Sequence, residues 1–496
     1  MTTTNSRREF LQKCAVGLAG LTIVPSSVLG KQVGKTAPSD KLHIAGVGIG
    51  GKGAENLRNM NSQNIVALCD VDWSYAKGTF DEYPKAKRFW DYRDMYDKMG
   101  KEIDAVVVAT ADHTHAVIAA DAITMGKHVY VQKPLTHSIY ESRLLTRLAL
   151  QYGVATQMGN EGASDEGVRK ICDWIWAGEI GEVTKVEAFS DRPVWPQGLS
   201  RPKEAMKIPD TLRWDLFVGP AEMRPYHSIY TPWNWRGWWD FGVGALGDMA
   251  CHILDPVFRA LYLEYPIAVQ GSSTALFAES APQAQTVRYS FPERETETGI
   301  LKLPDVTVDW FDGGFKPKRP EGMPDHLMFG GEDDANGVIF YGTKDILFCD
   351  NAGYNPRLMS GRTPVVPKCN REITIGHEMD WVRACKENPE TRVKTASDFT
   401  IAGPLNETVL LGVLAVRLQG LNKTLQWDGY TMQFTNIGDN ETVQFLVEDK
   451  FHIEDGNPIF DRILTEPIPA NLFAQEIIRH TYRNGFKLVD MPIFYY

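Results

Sequence analysis

The stretch Lys41 to Met60, KLHIAGVGIGGKGAENLRNM, constrains the fold more than any other part of the chain. An apolar run, Leu42 to Val47, passes through closely spaced glycines into a helical pattern carrying Ala54, Leu57 and Met60. Gly46-x-Gly48-x-x-Gly51 fits a G-x-G-x-x-G turn in its required context of strand, tight turn and helix start. Residues without a Cβ let the backbone turn sharply and approach a pyrophosphate, and the helix N-terminus beyond offers N–H groups and partial positive charge. Gly46, Gly48, Ile49, Gly50 and Gly51 are therefore candidate dinucleotide contacts. Asp70 ends the next apolar run, Ile65 to Cys69. A carboxylate about twenty residues past such a turn accepts hydrogen bonds from the adenosine ribose, and it repels a 2′-phosphate. Taken alone, Asp70 reads as a strand end; with the glycines at this spacing, NAD is the expected cofactor.

A chain of 496 residues is long enough for two or more domains. Uninterrupted apolar runs at Leu42–Val47, Ile65–Cys69, Ala105–Ala109, His128–Val131 and Val154–Met158 read as strands buried on both faces. Helical patterns separate them. One, His115–Met125, stops at Gly126; the next opens on the capping box Ser138-x-x-Glu141 and ends before Gly153. This alternation predicts an α/β fold with an N-terminal Rossmann dinucleotide-binding domain over 41–160. From 161 the pattern changes. A helix at Asp165–Ala177 and a strand at Val183–Ser190 precede an aromatic and proline-rich loop, Arg192 to Asp240. Strand signals follow at Ala268–Leu276, Gln285–Ser290, Val306–Phe311, Gly337–Tyr341 and Ile346–Cys349, with helices at Glu378–Lys386 and Pro404–Leu418. Strands in succession predict a C-terminal α/β domain, 161–496, built on a large, mostly antiparallel sheet.

Residues 1–30 have the pattern of an export signal. Ser6-Arg7-Arg8-Glu9-Phe10-Leu11 precedes the apolar run Ala15 to Val24 and then Pro25-Ser26-Ser27. The paired arginines resemble a twin-arginine signal, and the apolar run is too short to span a bilayer. Cleavage after Gly30 and a periplasmic location are expected, with a membrane anchor formed by the uncleaved signal as the alternative. Residues 31–40 read as a polar linker. A net charge of −11 with no basic stripe argues against nucleic-acid binding. Six cysteines beyond the signal show no C-x-x-C pairing or zinc spacing, so they read as buried small hydrophobes without a required disulfide framework.

Three further features carry chemistry. Thr110-Ala111-Asp112-His113-Thr114-His115 follows a strand, where ligands of open parallel sheets bind. Thr110, His113 and His115 are expected to face the cofactor, the histidines more as pocket-shaping groups than as reactants. Gln132-Lys133-Pro134 follows the next strand, placing Lys133 for proton transfer or for stabilising an alkoxide; a surface lysine is its plainer reading. Within Gly247 to Asp255, Asp248 and His252 are four apart and share a helix face, with Asp255 placed along it. Histidine suits a general base, and Asp248 can orient it or grip a substrate hydroxyl. Such pairs also bind zinc, but no third ligand is evident, so no metal is expected. Upstream, Trp233-Asn234-Trp235-Arg236-Gly237-Trp238-Trp239 mixes flat rings with polar groups. That suits a polyol, whose C–H faces pack on rings, although the tryptophans also read as core and Arg236 as a structural ion-pair partner.

On Gly46–Gly51, Asp70, Lys133-Pro134, Met158-Gly159-Asn160, Asn234–His252 and Trp310-Phe311-Asp312-Gly313-Gly314, the chain resembles Gfo/Idh/MocA oxidoreductases, most of all an exported bacterial branch with a long C-terminal domain. The resemblance implies a C-terminal sheet that mediates homo-oligomerisation, and Lys133, Asp248 and His252 as the catalytic lysine, aspartate and histidine. It adds Lys133 and Asn160 to the cofactor contacts, and Lys133, Trp235, Arg236, Asp248 and His252 are the expected substrate contacts. Two departures stand out: Gln132 replaces the usual glutamate before Lys-Pro, and Ala111 the usual proline before Asp112. The function expected is NAD-dependent oxidation or reduction of a sugar or sugar-derived hydroxyl, with a tightly held cofactor. Glycoside cleavage by transient oxidation is one alternative, against which Lys133-Pro134 argues. A non-catalytic, NAD-retaining sugar-binding protein is the other.

Overall fold

The structure, a computed structural model, describes residues 40–296, 301–324, 327, 330, 335–483 and 485–493. The expected signal, 1–30, and all of the linker but Asp40 lie outside the described residues.

Six parallel strands form the first sheet among the described residues: β1 (His43–Val47), β2 (Asn64–Cys69), β3 (Lys87–Phe89), β4 (Ala105–Val108), β5 (His128–Val131) and β6 (Thr156–Met158). Their order is β3-β2-β1-β4-β5-β6, the doubly wound arrangement. The valines of β4 are fully buried, because helices cover both faces. The capping box at Ser138 is formed in full and Gly126 sits at φ +74°, so both helix signals act as read. One helix start differs. The helix expected from His115 begins at Asp112, directly after extended Ala111, which places His113 and His115 in its first turn.

The division into 41–160 and 161–496 is crossed in space. The helix His377–Cys385, expected as part of the second domain, packs on the first sheet. Its Trp381, Val382 and Ala384 join Ile44, Leu57, Leu68 and Tyr130 in one apolar cluster, and Trp381 Nε1 donates to the Ala155 carbonyl at 3.2 Å.

The second sheet has nine strands among the described residues. In order these are Arg357–Leu358, Ile346–Asp350, Asn336–Gly342, Val183–Ser190, Val306–Phe311, Gln285–Phe291, Ala268–Ser273, Leu425–Asp428 and Gln433–Phe434. Val183–Ser190 pairs in parallel with Val306–Phe311, and the remaining pairs are antiparallel. The long helix against it runs Phe399–Arg417, five residues earlier than expected. Asp398 caps it by accepting from Thr400 N at 3.0 Å, and Pro404, read as its start, lies inside. Burial on nearly every side offsets the hydrogen bond that proline removes. The sequence pattern also missed an exposed hairpin, Leu446–Glu454 with Asn457–Leu464, whose apolar residues Phe451, Ile453 and Phe460 face solvent.

Candidate active site

The carboxyl ends of β1, β2, β4 and β5 open into a cleft of about 480 Å³ that the second domain closes from the opposite side. Gly48 sits at φ +77°, and a Cβ there would lie 2.6 Å from the Ala109 carbonyl oxygen and Thr110 nitrogen. Only glycine satisfies both constraints. Gly46 is crowded by Leu57 and Ile49, so it serves packing rather than contact with a ligand. Ile49 likewise buries its side chain, while its N–H donates to Asp70 Oδ2 at 2.8 Å. Asp70 also accepts from Asp72 N at 2.9 Å. Burial pushes its carboxyl up to about 6, against the pull of these backbone donors. Gly48, Gly50, Gly51, Asp70 and Thr110 all border the cleft. A glycine cradle with no room for a Cβ, beside a strand-end carboxylate, fits the pyrophosphate and ribose of NAD.

Across the cleft, the helix Gly244–Ile253 carries Asp248 and His252 on adjoining turns. Lys133, at the end of β5, donates from Nζ to Asp248 Oδ1 at 2.7 Å and to the Asp248 carbonyl at 3.3 Å. Arg236 Nε donates to the same Oδ1 at 2.9 Å. Burial by itself raises the pKa of Asp248, but Lys133 and Arg236 outweigh it and hold the carboxyl well below the usual range. The guanidinium of Arg236 lies over the Trp235 ring, 4.4 Å from its centroid. Lys133, His252, Trp235 and Arg236 border the cleft. His252 makes no hydrogen bond among the described residues. Its pKa falls to about 3, first by burial and then through Lys133, so its imidazole is neutral near pH 7.

Several expected roles change. Asp248 does not orient His252; its carboxylate is taken up by Lys133 and Arg236. Asp255 does not extend that face, because a new helix starts there, and its carboxylate pairs with Arg259 at 2.7 Å. Asn160 is buried behind the helix, donating to Asp255 Oδ1 at 3.1 Å and to the Cys251 carbonyl at 3.3 Å, so it braces the site rather than bordering the cleft. His115 turns inward between the carbonyls of Pro134, at 2.9 Å, and Thr110, at 3.1 Å, tying the Lys133 loop to β4. His113 borders the cleft, but its ring nitrogens face the Phe217 and Phe241 carbonyls at 2.9 and 3.3 Å, joining the domains. The tryptophans divide: Trp233 and Trp235 reach the cleft, while Trp238 and Trp239 are core.

Sequence reasoning missed other parts of the site. The Tyr75 ring lies over Gly50 and Gly51, filling the space a Cβ would take. Lys52 and Glu161 pair at 2.8 Å along the cleft wall. Gln132 donates to Asn56 Oδ1 at 2.8 Å, and Asn56 donates to Glu378 at 2.8 Å, so a carboxylate stands two side chains behind the Lys133 loop. Each partner lies far away in sequence, with no local pattern to mark it. Five of the described cysteines are buried; Cys369, expected to be buried with them, is exposed. Among the described residues no group of three or more His, Cys, Asp or Glu is arranged to hold a metal.

A Rossmann sheet joined to an α/β domain, with Lys133 and a glycine cradle bordering one cleft, is the architecture of an NAD-binding protein. Residues 41–160 match the model of the oxidoreductase family with an NAD-binding Rossmann fold, and residues 174–291 match the C-terminal α/β domain of the same family. Both matched regions are domains of the Gfo/Idh/MocA oxidoreductase family. The chain is 28% identical over 142 residues to an inositol 2-dehydrogenase of Salmonella typhimurium, covering 27% of this chain and 42% of that protein. It is 33% identical over 112 residues to glycosyl hydrolase family 109 protein 1 of Akkermansia muciniphila, covering 21% of this chain and 23% of that protein. The matched stretch thus spans less than half of either relative. Among solved structures, GenD2 from gentamicin A biosynthesis, in complex with NAD, superposes with a TM-score of 0.52 at 16% identity, covering 81% of this chain and all of that one. The WlbA dehydrogenase of Bordetella pertussis, in complex with NADH and UDP-GlcNAcA, gives 0.50 at 15% identity, covering 78% and 99%. These likenesses concern the fold.

Proposed function

We propose that the protein oxidises or reduces a hydroxyl or keto group of a sugar, glycoside or sugar derivative, with Lys133, Asp248 and His252 as its working residues. One observation carries the reading: Lys133, ion-paired to Asp248, and His252, on the next turn of the helix that carries Asp248, border the same cleft as the glycine cradle. NAD, when bound, supplies the two-electron acceptor or donor. The chain's own groups handle oxygen and proton. The Lys133 ammonium hydrogen-bonds the reacting oxygen and stabilises developing alkoxide charge. The neutral His252 imidazole takes the hydroxyl proton during oxidation and returns it during reduction. Asp248, clamped by Lys133 and Arg236, fixes the lysine. Trp233 and Trp235 offer ring faces to the C–H side of a sugar, and Arg236 offers polar contact beside them. The dehydrogenase names among the relatives support this class of substrate.

The twin-arginine-type N-terminus supports a periplasmic protein that leaves the cytoplasm folded and carries its cofactor as a resident group. The outer face of the nine-stranded sheet is the proposed surface for homo-oligomerisation. The test is turnover: purified protein is incubated with a panel of sugars and glucosides, and products are identified by mass spectrometry alongside NADH absorbance. A keto product formed by the wild type and lost in Lys133→Ala and His252→Ala, with both variants folded, is the expected result. Full activity in both variants sinks the assignment. Release of aglycone without net NADH points instead to the glycoside-cleaving alternative.

A further inference from the structure

The adenosine side of the cleft is lined by a residue outside both family-matched regions. Phe486, close to the C-terminus, borders the same cleft as Asp70, Trp90, Arg93 and Ile118. Topology fixes which end this is. Arg93 follows β3, and β3 lies beside β2, which Asp70 directly follows; Lys133 lies beyond β1 and β4, just after β5.

The Phe486 ring is held from both domains. On the Rossmann side, the Arg93 guanidinium stacks 4.6 Å from its centroid. The donors of Arg93 are engaged: Nε and Nη2 go to Asp91 at 3.0 and 2.6 Å, and Nη1 to the Gly485 carbonyl at 3.3 Å. From the second domain, Arg483 N donates to the Pro220 carbonyl at 2.9 Å and its side chain to the Gly219 and Asp215 carbonyls at 3.0 and 2.8 Å. Phe486 N then donates to the Arg483 carbonyl at 3.2 Å. Arg93 is neutralised by Asp91, so it presents a flat face instead of a charge seeking phosphate. An aromatic ring that borders the cleft with Ile118 and Asp70 suits a purine.

We propose that Phe486, braced by Arg93 and Arg483, is an adenine-stacking residue, so that the C-terminal segment forms part of the NAD site and slows the cofactor's release. The proposal rests on the reading of this cleft as the NAD site. The test measures binding of NAD and of nicotinamide cytosine dinucleotide, which lacks the purine, to the nucleotide-stripped full chain. Phe486→Ala is expected to raise the Kd for NAD roughly tenfold, the order of one base–aromatic stack, and to change that of the cytosine analogue less. Phe486→Trp should restore the preference for NAD. Unchanged NAD affinity in Phe486→Ala overturns the proposal, as does equal weakening of both dinucleotides that Phe486→Trp fails to restore. A wild-type chain that binds neither dinucleotide overturns the cofactor reading beneath it; one that binds both equally overturns only the role of Phe486.

Discussion

Asp248 is a carboxylate whose charge is maintained by neighbours rather than by water. Replacing it with asparagine leaves Lys133 and Arg236 facing each other without a counter-charge. Asp248→Asn is therefore expected to lower kcat/KM by roughly 10²-fold, with KM for NAD little changed, as steady-state kinetics will show. Asp70 behaves in the opposite way. Burial raises its pKa to about 6, so the carboxylate exists above that pH and is lost below it. Affinity for ADP-ribose should be flat above pH 7 and fall as pH drops through 6, by up to about tenfold per unit, while Asp70→Asn removes that dependence. Calorimetry across pH 5 to 8 will read both. Lys133, Asp248 and His252 were legible as residue types at suggestive positions. Their contacts were not, because these depend on Arg236, in the short 3-10 turn Asn234–Gly237, donating to the same Asp248 oxygen as Lys133.

Among the elements, those defined by local chemistry were readable and those defined by distant contacts were not. The capping box of Ser138 and Glu141 lies within one helical turn, so its residues specify it. The start of Phe399–Arg417 was misplaced because Pro404 resembles a first-turn proline, whereas burial holds the helix through it. That helix is joined to Ile139–Tyr152 by a buried, two-pronged pair: Arg143 Nε and Nη2 meet Glu407 Oε1 and Oε2 at 2.8 and 2.6 Å. Glu407→Ala strands the guanidinium in the interface. It is expected to cost about 3–5 kcal/mol of unfolding free energy in urea titrations. An exposed pair such as Lys77 and Asp81 should contribute far less, because water and salt screen it.

At the scale of the whole molecule, the two domains share their cores. Thr156 Oγ1 donates to Asp398 at 2.9 Å, Gln157 donates to the His377 carbonyl at 2.6 Å, and Asn406 accepts from Leu135 N at 3.1 Å. A fragment limited to 41–160 lacks the helix His377–Cys385 and exposes Ile44, Tyr130 and Ala155. Expressed alone, it is expected to be unfolded or aggregated by circular dichroism and sedimentation, although it coincides with the matched Rossmann region. The sequence by itself determined the dinucleotide turn and the strand succession. Each of these depends on neighbours within a turn, a strand or one β–α unit. Tertiary structure alone decided that Asp248 pairs with Lys133, that Asn160 and His115 bond to neighbouring protein groups, that Trp233 and Trp235 but not Trp238 and Trp239 meet the cleft, and that Phe486 borders it. Those outcomes depend on which side chains long loops bring into contact, and contacts between residues hundreds of positions apart leave no periodic trace in one chain.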